Sequence, residues 1–275
     1  MRDAVLNRIS TRTFKKQNLE KSDIESIVNL LQKYQMIPGP FGNHFEMTFN
    51  LNNSKKSNGK KIGTYGMLKN VPAFIGGICD NEFKSIIDFG YVFEHVILEL
   101  TELEYGTCWL GGTFKRKDYR KKLGENEIIP AISPVGFKAD KRSLIDRAVR
   151  RAAQSKNRKS LGELFRDYKT QEPLKMSLEN PIIHSLSLVR RAPSASNKQP
   201  WRAFVNDNKV HFYLKRTVGY ASALKYDIQA IDIGIALAHF DAGMKHFKQK
   251  FNFKTINNPK KIEDLEYVIS AEISK

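Results

Sequence analysis

Residues 192–201 read APSASNKQPW, and this stretch is the most distinctive in the chain. Two prolines enclose hydroxyl and amide side chains ahead of an apolar run, a pattern that predicts a fixed turn leading into a strand. A weaker counterpart, IPGPFGNH, occupies residues 37–44. Because the two turns fall half a chain apart, they indicate an internal duplication whose copies have diverged.

A second repeated feature supports the duplication. An Asp-x-Gly triplet over residues 88–90 is followed by His95, and another over residues 232–234 is followed by His239. Apolar residues around each triplet recur with a helical period, which predicts one long buried helix in each half. On such helices both histidines are expected to be core residues with hydrogen-bonded rings, rather than ligands or bases.

The other elements repeat in the same order. An amphipathic helix precedes each turn, over residues 21–34 and 181–191. Ser22 with Glu25 predicts the cap of the first helix, and Asn180 before a proline predicts the start of the second. Strands are predicted over residues 45–51, 128–137, 202–206, 210–214 and 265–273, with a hairpin joining the third and fourth.

A charged segment over residues 138–175 separates the copies. Its composition and its helical patches, such as residues 144–153, indicate a helical connector and not a Gly/Ser linker. The predicted division gives a first half with connector over residues 1–155 and a shorter second half over residues 156–275. The fold class is expected to be α+β, with central sheets flanked by helices and two half-domains forming a pseudo-dimer within one chain.

Composition limits the functional classes. The 275 residues, 41% of them hydrophobic, can bury a sizeable core. A net charge of +17 attracts phosphates, nucleotides, nucleic acid or anionic membranes without choosing among them. Two cysteines and the lack of a long uncharged apolar run favour a soluble cytoplasmic protein. The sequence contains neither a metal-ligand spacing nor a Gly-x-Ser-x-Gly nucleophile turn.

Three segments could carry chemistry. Arg8, Ser10 and Arg12 alternate, so in an extended segment they would point the same way and could converge on one anion; the alternative is a solvated basic stretch. The hydroxyl and amide groups of residues 194–199 suit the polar edge of a heteroaromatic ring, or else they satisfy their own turn. Residues 105–112 read YGTCWLGG, and the paired glycines would let backbone N–H groups approach a flat ligand.

Together the three segments resemble the nitroreductase family of flavin oxidoreductases. Its members carry an Arg-x-Ser-x-Arg/Lys-x-Phe motif, a Pro-Ser-x-x-Asn-x-Gln-Pro-Trp turn and a Gly-x-Gly/Thr-Cys-Trp-x-Gly segment. The resemblance covers most of the chain, and it implies that FMN lies between two copies of the fold, with the arginine motif from one and the turn from the other. Since Phe41 and Gly42 stand where the second copy has Ser196 and Asn197, we expect one complete FMN site per chain.

The same resemblance implies roles for single residues. Arg8 and Ser10 would hold the FMN phosphate, and Arg12 would face the N1/C2=O side of the ring, where a cation stabilises reduced flavin. A basic residue after the last strand of the first half, Lys141 or Arg142, would also reach the phosphate.

The remaining implied cofactor residues come from the turn and from the glycine segment. Backbone donors near the flavin N5 would come from Leu110, Gly111 and Gly112. Arg190, directly before the turn, is expected to have no part in FMN retention. The ring or ribityl chain would be lined by the turn residues Pro193, Ser194, Ser196, Asn197 and Gln199.

The implied function is an FMN-dependent NAD(P)H oxidoreductase. It would pass hydride from NADH or NADPH through FMN to a small nitroaromatic or quinone-like acceptor, with no nucleic-acid or membrane partner. The first half-reaction requires no dedicated acid or base. The degenerate first turn and the lack of a Gly-Thr-Cys-Trp segment in the second copy leave open a flavin-binding sensor or store without turnover. The alternative of a basic nucleic-acid-binding protein is supported by the net charge alone, because the aromatic residues lie mostly in apolar strands.

Overall fold

The computed structural model describes residues 1–52, 66–119, 122–141, 143, 146, 148, 151, 157–175, 177–220 and 224–274. Within them the fold is α+β, with two five-stranded sheets flanked by helices, which confirms the predicted class. The helices are α1 (Arg2–Asn7), α2 (Lys21–Gln35), α3 (Phe83–Glu102), α4 (Arg116–Tyr119), α5 (Leu161–Leu164), α6 (Pro181–Val189) and α7 (Ile228–His246). The strands are β1 (Glu46–Leu51), β2 (Ala73–Asp80), β3 (Tyr105–Thr107), β4 (Glu127–Ile128), β5 (Ile132–Phe137), β6 (Phe165–Asp167), β7 (Trp201–Asn206), β8 (Lys209–Leu214), β9 (Phe251–Lys254) and β10 (Glu266–Ile273).

Each half contains one sheet. The first has the order β1-β2-β5-β3, with β4 pairing to β2, and all its pairings are antiparallel. Its strand β2 is buried over residues 73–79. The second has the order β6-β7-β8-β10-β9, in which only β6 and β7 run parallel. The strands β7 and β8 form the predicted hairpin.

The two Asp-x-Gly helices, α3 and α7, pack directly against each other. Gly90 and Gly234 lie at their contact: a Cβ atom on Gly90 would lie 2.6 Å from the Ile231 carbonyl oxygen, and one on Gly234 would overlap the Ile87 carbonyl oxygen. Backbone therefore occupies the space that a side chain would need, so each triplet requires its glycine. A continuous hydrophobic cluster includes residues of both halves around this crossing.

The aspartate of each triplet holds the proline turn of its own half. Asp88 accepts hydrogen bonds from the backbone N–H groups of Phe41 and Asn43, both at 2.9 Å. Asp232 accepts one from the Ala195 N–H, also at 2.9 Å. The repeated triplet thus combines a helix crossing with a turn anchor. This matched arrangement supports the duplication, which stays a prediction together with the division at residue 155.

Both predicted core histidines lie at this crossing. The His239 Nδ1 lies 3.1 Å from the Leu188 carbonyl oxygen and its Nε2 lies 2.8 Å from Glu94 Oε1. The His95 Nε2 lies 3.0 Å from Asp241 Oδ2. Each ring therefore faces a carboxylate of the other helix, so the two halves exchange reciprocal buried contacts.

Some local predictions are wrong. The capping box of α2 consists of Glu20 and Asp23, with the Glu20 N–H donating to Asp23 Oδ2 at 2.8 Å, instead of Ser22 and Glu25. The strand predicted over residues 128–137 is divided into β4 and β5 around Pro130, which has no N–H for a ladder. The connector contributes the unpredicted strand β6. Of residues 144–153, the structure describes 146, 148 and 151, which are helical.

Candidate functional site

A cavity of about 740 Å³ lies between the two halves of the chain. Most residues of the segment 5–12 and of the loop at 109–113 line it from the first half. From the second half come Arg158, the turn region at residues 190–197, and parts of residues 220–235. The volume falls within the range of small-molecule and cofactor pockets. Both halves therefore contribute to one cavity.

The N-terminal motif forms one side of this cavity. Arg8, Ser10 and Arg12 all line it. They stand on an extended segment that pairs with the end of β3, where the Thr11 N–H donates to the Thr107 carbonyl at 2.7 Å. Successive side chains of an extended segment point opposite ways, so Thr11 is buried away from its neighbours. Arg8, Ser10 and Arg12 therefore lie at one cavity, and their convergence on a single anion stays a prediction.

Arg8 carries unused hydrogen-bond donors. Its side chain is 8% exposed, and its Nε and Nη1 have no hydrogen-bond partner among the described residues. Its ion-pair contact is Glu94 Oε1, 3.8 Å from Nε. A buried cation with unsatisfied N–H groups is costly unless an acceptor reaches it. Arg8 therefore points to an anionic ligand in the cavity.

Glu94 connects this side of the cavity with the core. The residue is fully buried on α3, and its Oε2 accepts a hydrogen bond of 2.6 Å from the indole N–H of Trp109, another lining residue. Its Oε1 lies 2.8 Å from His239 Nε2. Because the carboxylate already serves Trp109 and His239, it compensates the positive charge of Arg8 only in part.

Three further arginines line the same cavity, and with Arg8 we call them the arginine cluster: Arg8, Arg158, Arg190 and Arg191. Burial, together with the charges of the other three, lowers the pKa of Arg158 to about 10. The Arg190 Nε donates to the Lys159 carbonyl at 2.7 Å and so fixes the connector against the end of α6. Like charges that line one cavity repel one another, and a bound anion would relieve that repulsion.

The position of Arg190 bears on one expectation. The sequence predicts no part for Arg190 in FMN retention, and the structure places it among the residues that line the cavity. The adjacent pair Arg190-Arg191, directly before the turn, was the available signal in the sequence. Arg158 had no such signal, because it belongs to a segment with many other charged residues.

Arg12 lies in a different electrostatic setting. Its Nη1 donates to Asp146 Oδ1 at 3.1 Å, and the Asp146 side chain is buried. This ion pair links the N-terminal segment to the connector. It also reduces the net positive charge that Arg12 presents to a ligand.

The turn over residues 193–199 has an unusual backbone. Ser196, Asn197 and Gln199 adopt φ values of 47°, 55° and 49°, the left-handed region that non-glycine residues rarely occupy. Asn197 Oδ1 accepts a hydrogen bond of 2.8 Å from Arg158 Nη1, and Ser194 Oγ accepts one of 2.9 Å from the Gln199 N–H. Such strain persists where surrounding contacts fix it, which is common at ligand sites.

A further section of the lining consists of Asp232, Ser196 and Tyr220. The Tyr220 hydroxyl donates to Ser196 Oγ at 2.9 Å. Asp232 Oδ1 accepts the Ala195 N–H, whereas its Oδ2 is buried with no partner among the described residues. Burial raises the pKa of Asp232 well above its usual value, and the negative charge of Asp227 adds to the rise.

A family comparison decides the classification of this chain. A model of the family described as "Putative TM nitroreductase" matches residues 1–244. The chain belongs to this nitroreductase family. It is similar to a "putative nitroreductase" of Thermotoga maritima MSB8, with a TM-score of 0.62 and 17% identity over 99% of this chain and 93% of that one. The two proteins share a fold. No curated protein matches the sequence.

Smaller structures match parts of this nitroreductase-family chain. An FMN-dependent nitroreductase of Clostridium difficile R20291 is 21% identical over 52% of this chain and 90% of that one, with a TM-score of 0.39. A "Putative NADH Oxidase" of Clostridium acetobutylicum is 24% identical over 50% and 89%, also at 0.39. These scores are too low to support further conclusions.

Two residues expected at the cofactor from the nitroreductase resemblance lie outside the cavity lining. Leu110 is buried, and its N–H donates to the Ile132 carbonyl at 2.9 Å, so it offers no free donor. Gln199 is also buried; its side chain accepts the Lys159 N–H at 3.0 Å and donates to the Asn197 carbonyl at 3.1 Å. Both residues hold the shape of the segments that do line the cavity.

Gly111 and Gly112 do line the cavity. A Cβ atom on Gly111 would lie 2.9 Å from Ile228 Cδ1, so glycine keeps the loop close to α7. Lys141 is exposed and is not among the lining residues, and Arg142 lies outside the described residues. Arg158 is a connector cation that does line the cavity.

The first-half turn differs from the turn of the second half. It has no residue in the cavity lining, and Phe41 and Gly42 bring no polar side chain. The Lys84 ammonium lies 5.5 Å from the centre of the Phe41 ring. The Asn43 side-chain amide donates to Asp88 at 2.9 Å, so this turn is closed by its own contacts.

Two searches of the described residues found nothing further. No group of three or more His, Cys, Asp and Glu side chains there could hold a metal ion. No helix in the same part of the chain is both long and apolar enough to cross a membrane.

Proposed function

We propose that this nitroreductase-family protein is an FMN-dependent NAD(P)H oxidoreductase that holds one FMN between its two halves. The observation that carries the proposal is the arginine cluster, which lines one cavity. Two buried N–H donors of Arg8 have no hydrogen-bond partner in the described part of the chain. A phosphate monoester supplies the charge and acceptor oxygens that this cluster lacks.

The phosphate would be held by residues from both halves. Arg8 and Ser10 would approach it from the N-terminal segment, and Arg158 from the other side. Arginine presents its N–H groups in a planar fork that matches phosphate oxygens. Binding there would relieve the repulsion that lowers the pKa of Arg158.

The flat ring of the cofactor would lie between the turn and the glycine loop. Ser194, Ser196 and Asn197 offer hydroxyl and amide groups to its polar edge. Gly111 and Gly112 let backbone approach the ring, and the isoleucines of α7, such as Ile231, line the cavity with apolar surface. Arg12, moderated by Asp146, would face the edge that becomes negative on reduction.

When bound, FMN supplies the two-electron chemistry, taking electrons from NADH or NADPH and passing them to a nitroaromatic or quinone-like acceptor. The protein supplies position and electrostatics. Nicotinamide and acceptor would use the same ring face in turn. We further propose that the two halves are the diverged copies of one duplication and that the chain acts as a single-chain pseudo-dimer.

The test is the absorbance spectrum of the purified protein, followed by turnover. We expect a flavin spectrum with one FMN per chain, bleaching by NADH or NADPH, and oxidation of the nicotinamide with menadione or nitrofurazone as acceptor. A colourless protein that does not bind added FMN would contradict the proposal. Bound flavin without nicotinamide oxidation would instead favour a flavin sensor or store.

A further inference from the structure

We infer that Asp232 is held as a neutral carboxylic acid in the cavity and that it donates a proton to the bound electron acceptor. This inference rests on the proposed function, because it assigns the proton source for the second half of the same reaction. The chemical class of acceptor is one whose oxygen becomes basic on reduction, such as a quinone.

The two carboxylate oxygens of Asp232 have different surroundings. Asp232 is only 2% exposed, yet it is a lining residue of the cavity. Its Oδ1 accepts the Ala195 N–H at 2.9 Å, and its Oδ2 has no partner among the described residues. A carboxylate needs donors on both oxygens when water is excluded, whereas a carboxylic acid needs only an acceptor for its own hydrogen. An Oδ2 without a donor therefore disfavours the carboxylate, and an O–H group there would take its acceptor from a bound ligand.

Asp88, the matching aspartate of the first half, provides an internal comparison. It is also buried, but three N–H donors at 2.9 Å, from Phe41 and from the backbone and side chain of Asn43, occupy both of its oxygens. It does not line the cavity. Burial raises the pKa of Asp88 as well, but its three donors oppose that rise, whereas Asp232 has the Ala195 N–H alone among the described residues. The second-half aspartate therefore favours the protonated form more strongly than the first-half aspartate does.

The surrounding groups favour the neutral form of Asp232. Burial raises its pKa, the backbone donor of Ala195 opposes the rise, and the charge of Asp227 at the start of α7 adds to it. Tyr220 and Tyr226, from the segment that precedes α7, are the other titratable groups that interact with it. Both tyrosines have raised pKa values, so they stay neutral and do not supply a countercharge.

The proposed step balances as follows for a quinone. The quinone takes up two electrons and one hydrogen as hydride from the reduced flavin, which is oxidised. One quinone oxygen becomes an anion; the Oδ2–H bond of Asp232 breaks and a new O–H bond forms on that oxygen. Hydroquinone leaves, and the Asp232 carboxylate takes a proton from water.

Asp232→Asn separates proton donation from the other properties of the residue. The amide oxygen can still accept the Ala195 N–H, and the NH₂ group keeps a donor at the free position, but it cannot release a proton. Reoxidation of the FMN-loaded variant by ferricyanide, which takes electrons without a proton, serves as the reference rate. Reoxidation by menadione should fall about 10²-fold, the usual contribution of a general acid.

A second measurement needs no cofactor. The infrared spectrum of the flavin-free protein at pH 7 should show the C=O stretch of a protonated carboxylic acid, absent in Asp232→Asn and retained in Asp88→Asn. Asp88→Asn should also keep the ratio of menadione to ferricyanide rates. Equal losses with both acceptors, no loss with either, or no such infrared band would overturn the inference while leaving bound FMN intact. A protein that binds no FMN would overturn the proposed function itself, and the proton-donor role with it.

Discussion

Glu94 on α3 and His239 on α7 share a contact of 2.8 Å that joins the two halves behind the cavity wall. The His239 Nδ1 lies 3.1 Å from the Leu188 carbonyl oxygen, which can only accept, so Nδ1 donates in that contact. Glu94 also contacts Arg8 and Trp109, both lining residues. The core contact and the candidate phosphate site therefore depend on one carboxylate.

Glu94→Gln should both destabilise the fold and weaken FMN binding. The amide cannot compensate Arg8 and His239, and removing one member of a buried ion pair costs about 3–5 kcal/mol. Urea unfolding measures the first effect and fluorescence titration with FMN the second. Asp241→Asn is the matched control, because Asp241 faces His95 away from the cavity lining. It should lower stability and leave the Kd for FMN unchanged; an equal rise in Kd would show that Glu94 acts through stability alone.

Arg8→Ala should raise the Kd for FMN by about 10–150-fold, which corresponds to the loss of one charged hydrogen-bonding interaction of about 1.5–3 kcal/mol. Lys21→Ala removes the same charge from an exposed site and should change the Kd little. The Kd for riboflavin, which has no phosphate, should respond to neither substitution. A riboflavin effect as large as the FMN effect would place Arg8 at the ring.

Arg158→Ala and Lys141→Ala test which basic residue of the connector holds the FMN phosphate. The structure supports Arg158, and the sequence predicted Lys141 or its neighbour. Arg158 lines the cavity and contacts Asn197, whereas Lys141 is exposed outside it. We expect at least a tenfold rise in the Kd for FMN with Arg158→Ala, and a weaker dependence of that Kd on salt. Lys141→Ala should have neither effect. The reverse result would restore the prediction made from the sequence.

Gly234→Ala should destabilise the protein by about 1–3 kcal/mol or more, because its methyl group would overlap the backbone of α3. Gly112→Ala is the control for stability, since its Cβ atom would lie 3.9 Å from Leu224. Thermal unfolding of the two variants checks this difference. A wild-type melting temperature for Gly234→Ala would mean that the helices do not cross as closely as described.

The pH dependence of stability should report Asp232. The pKa of Asp232 is raised in the folded state. Its contribution to the free energy of unfolding is therefore fully present below the unfolded pKa near 3.9 and is lost as the pH rises through the folded pKa. In Asp232→Asn this loss is removed. The free energy of unfolding of the variant, relative to wild type, should therefore increase as the pH rises above about 4 toward the folded pKa, by at most about 1.4 kcal/mol per unit. A difference that stays constant over this range would indicate that Asp232 is already ionised.

The fold was largely predictable because its deciding residues act locally. Prolines and polar side chains define the turn at residues 193–199. In each Asp-x-Gly triplet the glycine lets two helices cross at backbone distance, and the aspartate holds a turn. The short strands β3, β6 and β9 were not predicted, because three or four residues give too little alternation to distinguish a strand from a loop.

Site residues were predictable from the sequence only where their spacing determines which way their side chains point. The alternation of Arg8, Ser10 and Arg12 is enough to bring three side chains to one face. Arg158 and Arg190 reach the cavity because the connector packs against the end of α6. No local sequence pattern predicts that packing. For the same reason the ligand-facing role expected of Leu110 and Gln199 does not hold: their polar groups are taken by Ile132 and Lys159, partners distant in sequence.

Calorimetric titration of the flavin-free protein with FMN tests the central claim most directly, when wild type is compared with Arg8→Ala and Asn197→Ala. The two substitutions lie in different halves and face one cavity. One FMN per chain, with affinity reduced by either substitution, is the predicted result. Two FMN per chain, or an Asn197→Ala variant that binds as wild type does, would contradict a single site built from both halves.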